Sequence, residues 1–245
     1  RIKMKKTKLI EKIDKRFLLG IAHRGLHDEV STENGLDAFK KAIDKNTAFE
    51  LDVHLSKDGK LIVCHDDNLV RTTSKEGIIE ELTLKEIKEN YRLLDGEEVP
   101  TLQEVLALND ERVPLVIELK TYKKNNKALA KALQNELKDI KDKSKFFIIS
   151  FDPRSLYHFG RKGIMRGLLI THEHEWVFKL RHLFESLDVE DRLTHLEKYR
   201  RYQKKHFVNV WTIEDKDNLA SVKDYVDTIT YQYMEPDFIK KELTR

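Results

Sequence analysis

Ala48-Phe49-Glu50-Leu51-Asp52-Val53-His54-Leu55 leads through Ser56-Lys57-Asp58-Gly59 into Lys60-Leu61-Ile62-Val63-Cys64. The first segment reads as a strand. Asp58-Gly59 is a hairpin turn signal, and the apolar run after it reads as the returning strand. Side chains two apart in a strand share a face, so Glu50 and Asp52 stand side by side while Leu51 and Val53 face away. His54 is taken to alternate away from the two acids and to be structural.

Outward from this stretch, strand-like and helix-like segments alternate. Phe17 to His23 reads as a first strand. Glu33 to Lys45 has Leu36, Phe39, Ala42 and Ile43 at helical spacing. Helical patterns follow near Thr83 to Glu89 and Thr101 to Leu108. Strand and helix then repeat at Val113 to Leu119 and Asn126 to Ile140, and at Lys145 to Ser150 and Pro153 to Gly160. Met165 to Ile170, Phe207 to Thr212 and Thr228 to Thr230 read as further strands. Asp215 to Val222 reads as a helix, and Pro236 opens a closing helix. A sixth strand must lie between Thr171 and His206 if there are eight units, and Leu183 to Val189 is the place for it. Alternation of this kind favours a parallel sheet, and a chain of 245 residues favours its closure into an α/β barrel of the TIM (β/α)8 type. One domain is expected over 1–245, opened by a basic N-terminal segment, 1–16. No Gly-x-Gly-x-x-Gly follows any strand, which weakens a dinucleotide-binding reading.

The charge balance excludes some partners. With 46 basic and 43 acidic residues the chain has no dense cationic face, so no nucleic acid is expected. The lone cysteine, Cys64, lies in an apolar run and reads as a small buried residue. No apolar run approaches the roughly eighteen residues of a membrane span. A cytoplasmic location is expected, or a membrane-anchored or extracellular one if a segment preceding Arg1 has been removed. The sequence fixes no oligomeric state.

Polar groups gather at strand ends, where barrels of this kind carry active sites. Glu118 and Lys120 repeat the side-by-side arrangement of Glu50 and Asp52. His23 and Arg24 end the first strand, and Trp211 ends a late one. Carboxylates converging at one mouth would repel one another, and a bound cation would relieve this. All-oxygen ligands point to Mg²⁺ or Ca²⁺ rather than zinc. The other reading of Glu50, Asp52 and Glu118 is a solvated rim of ion pairs, with Lys120 bridged to Glu118. Phosphate esters suit such a metal site, with Arg24 and Lys120 adding positive charge. His23 and His65 are the candidates for general acid and base.

The motifs His23-Arg24-Gly25, Glu33-Asn34, Phe49 to Val53, Lys57-Asp58-Gly59, His65-Asp66 and Arg71-Thr72-Thr73 closely resemble the glycerophosphodiester phosphodiesterase family. Val99-Pro100-Thr101-Leu102 with Glu104, Ile117 to Lys120, Ser150-Phe151-Asp152 and Trp211-Thr212 extend the resemblance, densest from Leu19 to Lys120. It implies a TIM barrel with a small insertion after the second strand, and hydrolysis of a glycerophosphodiester to glycerol 3-phosphate and an alcohol. It implies metal ligation by Glu50, Asp52 and Glu118, with His23 and His65 as the acid/base pair. It gives Arg24 and Lys120 the phosphate, Glu33 the ordering of the first loop or contact with substrate, and Trp211 packing against the glycerol unit or a place on the rim. A phospholipase D-like enzyme acting on lysophospholipids or sphingolipids is the alternative. Thr32, Ile213-Glu214 and Thr230 to Tyr233 depart from the family pattern, which puts the alcohol side of the pocket in doubt.

Thr171-His172-Glu173-His174-Glu175 reads as a solvated loop, with a second metal cluster as the alternative. Trp176, Val177, Leu180, Leu183 and Phe184 have helical spacing. They read as a helix on the barrel or as a flap (176–184) making peripheral membrane contact.

Overall fold

The alternation of faces recurs in every long strand of the computed structural model, which describes residues 6–244. The strands are β1 (Ile21–Ala22), β2 (Ala48–Leu55), β3 (Leu61–Val63), β4 (Leu115–Leu119), β5 (Phe146–Ser150), β6 (Met165–Ile170), β7 (Ser186–Glu190), β8 (Phe207–Ile213) and β9 (Thr228–Tyr231). All except β3 pair in parallel, and β1 pairs with both β9 and β2, which closes eight strands into a TIM barrel. The strand sought between Leu183 and Val189 is β7. β3 runs antiparallel to β2 as the second arm of the Asp58-Gly59 hairpin.

Strand faces divide the core in two. Phe49, Leu51, Val53, Leu115, Ile117 and Leu119 point outward and pack beneath the helices. Ile21, Ala48, Val116, Phe147, Met165 and Phe207 fill the lower half of the barrel interior. In the upper half the same inward positions of β2 and β4 carry Glu50, Asp52 and Glu118, buried although acidic. The interior is therefore a packed floor under a polar chamber.

Between β2 and β4 lies the insertion. Its helix Leu84–Asn90, and the ring helix Leu102–Asn109 whose Leu102 and Val105 join the outer core, each begin with a capping box, Thr83 with Glu86 and Thr101 with Glu104. Ile62, Cys64, Leu69, Ile79, Ile87 and Tyr91 give the insertion a small core of its own. Cys64 is buried there, and burial pushes its thiol up to about 12.

Two expectations need correction. Phe17 to His23 is not one strand: Lys15–Leu19 form a 3₁₀ turn capped by Asp14, and only Ile21–Ala22 are extended. The turn drives Phe17, fully buried, into the barrel floor, edge-on to Phe147 at 6.2 Å. The basic N-terminal segment packs against this floor from residue 6 onward. Helix Lys6–Lys12 lays Leu9 against the same floor, and Ile13 follows it; residues 1–5 lie outside the described residues. Finally, 176–184 is not an α-helix. Glu175–Leu180 form a 3₁₀ turn that buries Val177 and leaves Trp176 61% exposed. A 3₁₀ turn spans about 2.0 Å per residue against about 1.5 Å in an α-helix, which suits this short crossover between β6 and β7. No helix among the described residues is long and apolar enough to cross a membrane.

Phe17→Ala should test the floor. Removing a fully buried aromatic costs about 3–5 kcal/mol, so the melting temperature should fall by roughly 10 °C. A change of a degree or less in a thermal melt would mean that the plug does not hold the barrel.

Candidate active site

β2 and β4 are in register so that Asp52 lies beside Glu118 at their C-terminal ends. Glu50, Asp52 and Glu118 each offer an oxygen, and these oxygens all lie within 4.8 Å of one another. Burial, then repulsion from Asp52 and Glu118, raises Glu50 well above the usual carboxylate range. Burial, with Asp52 nearby and against the pull of Lys120, raises Glu118 to about 7. Burial opposes the ionisation of Asp52 too, yet Lys120 and Arg24 outweigh it and hold Asp52 below its ordinary value. The trio is thus a buried, electrostatically frustrated oxygen set of the kind a hard divalent ion satisfies, and it can hold one.

Cationic side chains press in from two sides. Lys120 Nζ lies 3.0 Å from Glu118 Oε1 and 3.6 Å from Asp52 Oδ1. Despite burial, those two acids raise its proton affinity and keep it charged. Arg24 adopts a left-handed backbone conformation, φ 54°, so that its N–H donates to Glu50 Oε2 at 3.1 Å. Gly25 follows at φ 81°, where an added Cβ would meet the Ala38 carbonyl carbon at 2.8 Å, so the turn admits no side chain. Arg24 Nη1 donates to Glu33 Oε1 at 2.7 Å, while Nε stands 3.5 Å from Asp52 Oδ2, misaligned for a hydrogen bond. Asn34 Nδ2 donates to that same Asp52 oxygen at 3.0 Å.

The two histidines face this centre from different elements. His23 Nδ1 is 2.8 Å from Gln232 Oε1, so Nδ1 carries the proton and Nε2 is left for the site. Burial, then the Arg24 charge, lowers His23 to about 4. His65, delivered by the insertion, has Nδ1 2.6 Å from Asp66 Oδ1. Burial lowers it as well, partly opposed by Asp52. Asp66 is held in turn by Arg71 Nε at 2.6 Å, and Arg71 also grips both oxygens of Glu33. Glu33, brought to about 2 by Arg71 and Arg24 against the effect of burial, therefore ties the two arginines together. Its oxygens are occupied, which fits ordering of the first loop better than contact with substrate. His54 shares the inward face of Glu50 and Asp52 rather than the opposite one. Its Nδ1 meets Glu80 at 2.6 Å and its Nε2 the His65 carbonyl oxygen at 3.0 Å, so it stays structural by pinning the insertion.

His23, Arg24, Glu50, His65, Glu118 and Trp211 line one inner cup of about 140 Å³. A larger cavity of about 1050 Å³ continues from His65, Glu118 and Lys120 past Phe151 to Tyr122 and Trp176. Trp211 stands edge-on to Phe151 at 5.6 Å between them.

A family model described as the glycerophosphoryl diester phosphodiesterase family matches residues 23–241. The chain belongs to that family. It is 38% identical over 146 residues to a glycerophosphodiester phosphodiesterase of Caldanaerobacter subterraneus subsp. tengcongensis, an alignment covering 56% of this chain and 60% of that one. The chain thus spans less than two thirds of this curated relative's length. A crystal structure of a glycerophosphodiester phosphodiesterase from Thermotoga maritima superposes with a TM-score of 0.72 at 29% identity, covering 91% of this chain and 96% of the other. An Oleispira antarctica phosphodiesterase, solved in complex with the product sn-glycerol-3-phosphate, gives 0.77 at 25% identity, with 91% and 95% covered.

In this family member the residues singled out by sequence converge: all nine lie at or directly behind the mouth. The run Thr171 to Glu175 disperses instead. His172 pairs with Glu190 at 2.7 Å and Glu175 with Lys198 at 2.6 Å, and no second ion-sized trio forms among the described residues. Gln232, Asp66, Arg71 and Asn34 were not singled out. Asp66, Asn34 and Arg71 stand in the motifs His65-Asp66, Glu33-Asn34 and Arg71-Thr72-Thr73 and carried a signal. Gln232 did not, because only closure of the barrel brings β9 beside β1.

Proposed function

We propose that the chain is a metal-dependent glycerophosphodiester phosphodiesterase that releases glycerol 3-phosphate and an alcohol. The observation that carries this is the convergence of Glu50, Asp52 and Glu118 within 4.8 Å, with Glu50 and Glu118 lining one cup with His23 and His65, in a member of this family. Glu50, Asp52 and Glu118 would hold the cation, Mg²⁺ or Ca²⁺, which supplies charge neutralisation for the phosphate when bound. Arg24 and Lys120 take the phosphate oxygens. His23, whose Nδ1 is bound by the neutral Gln232 amide and which burial and Arg24 keep unprotonated, is the better proton acceptor for the attacking oxygen. His65 is backed by the Asp66 carboxylate, which favours its imidazolium, so it is the better donor to the leaving alcohol. Trp211 walls the glycerol side.

The larger cavity would receive the alcohol. Asp66, Asp67, Asp152, Glu173 and Lys123 stand around it among the apolar Phe151, Leu169, Trp176 and Val177, so the family match rather than the lining favours a deacylated diester over the phospholipase D-like alternative. Exposed Trp176 and Leu183 keep 176–184 available for peripheral contact with a membrane surface.

The test is a panel of glycerophosphocholine, glycerophosphoethanolamine, glycerophosphoglycerol and lysophosphatidylcholine, each assayed with Mg²⁺, Ca²⁺ and chelator. Glycerol 3-phosphate should appear from the deacylated diesters only when a cation is present. Release of a phosphorylated head group, or turnover only on lysophosphatidylcholine, would refute the reading.

A further inference from the structure

Asn209 lies on β8, one inward position below Trp211, and is 1% exposed. Its Nδ2 donates to Asp188 Oδ1 at 2.6 Å and to Thr230 Oγ1 at 2.9 Å, which uses both amide hydrogens. The orientation is that set by an ionised Asp188: turned over, the amide would put its oxygen against that carboxylate, although the Thr230 hydroxyl could donate to it. Its Oδ1 is buried and has no hydrogen-bond partner, and Asn209 lines the inner cup together with His23, Glu50 and Glu118. Buried amide oxygens are rarely left unpaired, and an unpaired one at the bottom of a cup awaits a donor from a ligand.

The support behind this amide is built in. Asp188 is fully buried, and Gly167 on the neighbouring strand makes room for it: a Cβ there would stand 2.1 Å from Asp188 Oδ2. Asp188, Asn209 and Thr230 thus form a row across β7, β8 and β9 in which the Asn209 carbonyl oxygen is the buried acceptor left without a partner.

We propose that Asn209 is a specificity-determining residue that accepts a hydrogen bond from the terminal hydroxyl of the substrate's glycerol unit. This rests on the phosphodiesterase reading above. The chemistry of the corner selects the group. A phosphate oxygen or carboxylate would place acceptor against acceptor beside Asp188. A primary alcohol brings a donor for Oδ1 and a methylene for the flanking wall of Trp211, Ile149 and Leu169. The hydroxyl adjacent to the phosphoester carbon lies nearer the reacting centre, so the terminal hydroxyl is the one that reaches the floor. A site built to bind a hydroxyl rejects the analogue that lacks it, because its own buried group is then left unpaired.

The experiment compares glycerophosphocholine with its counterpart whose terminal hydroxyl is replaced by hydrogen, the phosphocholine diester of propane-1,2-diol, at saturating Mg²⁺. Wild type should lose about 50-fold or more in kcat/KM on the deoxy substrate. Asn209→Ala should lose a similar factor on glycerophosphocholine but little on the deoxy substrate, bringing the two values within a fewfold of each other. If Asn209→Ala does not fold by circular dichroism, Thr230→Val keeps the shape and loosens the amide, and the preference should drop at least severalfold. Equal wild-type activity on both substrates would overturn the Asn209 assignment and leave the phosphodiesterase reading intact. A preference unchanged in the folded variant would do the same. Wild-type inactivity on every glycerophosphodiester would remove the reading and the assignment together.

Discussion

His23→Ala and His65→Ala should each lower kcat about 100-fold or more on glycerophosphocholine, the usual range for losing a positioned proton-transfer group. The two losses should differ in kind. His23 pairs its Nδ1 with the neutral Gln232 amide and is lowered to about 4, so it is unprotonated at neutral pH and poised to accept. His65 pairs its Nδ1 with Asp66, itself held by Arg71, and that carboxylate stabilises a positive ring. A substrate whose leaving group needs no proton, such as a p-nitrophenyl phosphodiester of glycerol, should therefore recover most of its rate with His65→Ala and little with His23→Ala. The measurement is the ratio of kcat on the two substrates for each variant. Equal recovery in both would reverse or abolish the division of roles, and near-normal kcat in either variant would remove that histidine from proton transfer.

Much of this site was legible because it is written locally. Glu50 and Asp52 are two apart on one strand, and Glu118 and Lys120 two apart on another, so simple alternation aligned them before any barrel was drawn. The fold was legible for the same reason: six of the eight barrel strands are apolar runs long enough to be read singly. What could not be read depends on distant closure. Gln232 reaches His23 only because β9 returns to β1, and Asp188, Asn209 and Thr230 come one each from three strands, so no single strand shows the row they form. His54 was placed on the wrong face although its spacing from Asp52 is the same as that of Asp52 from Glu50. The Phe17 turn was missed because an apolar run that plugs a barrel floor has the composition of a strand.

The carboxylate trio should make the protein's stability depend on cation and pH together. Without a cation, Glu50 is raised well above its ordinary value and Glu118 to about 7, both first by burial. In the unfolded chain the same groups lose their protons near 4.5. Between that pH and the raised folded values, unfolding releases protons, so the cation-free protein loses stability as pH rises from about 5 to 8. Asp52, kept charged by Lys120 and Arg24, does not contribute to this decline. A divalent ion binds the deprotonated oxygens and replaces those protons, so its affinity should rise across the same window, with measurable proton release in weak buffer. At one hundred times the dissociation constant the ion adds about 2.7 kcal/mol, a rise of roughly 5–10 °C in melting temperature for a chain of this size. The gap between melts in Mg²⁺ or Ca²⁺ and in chelator should therefore widen from pH 5 to pH 8, while chelation removes turnover. Glu118→Gln relieves one repulsion, so it should stabilise the chelated protein at pH 8 and shrink the cation-induced rise. A gap that stays constant with pH, or turnover that survives full chelation, would show that these acids serve as an ion-paired rim for Arg24 and Lys120 and hold no ion.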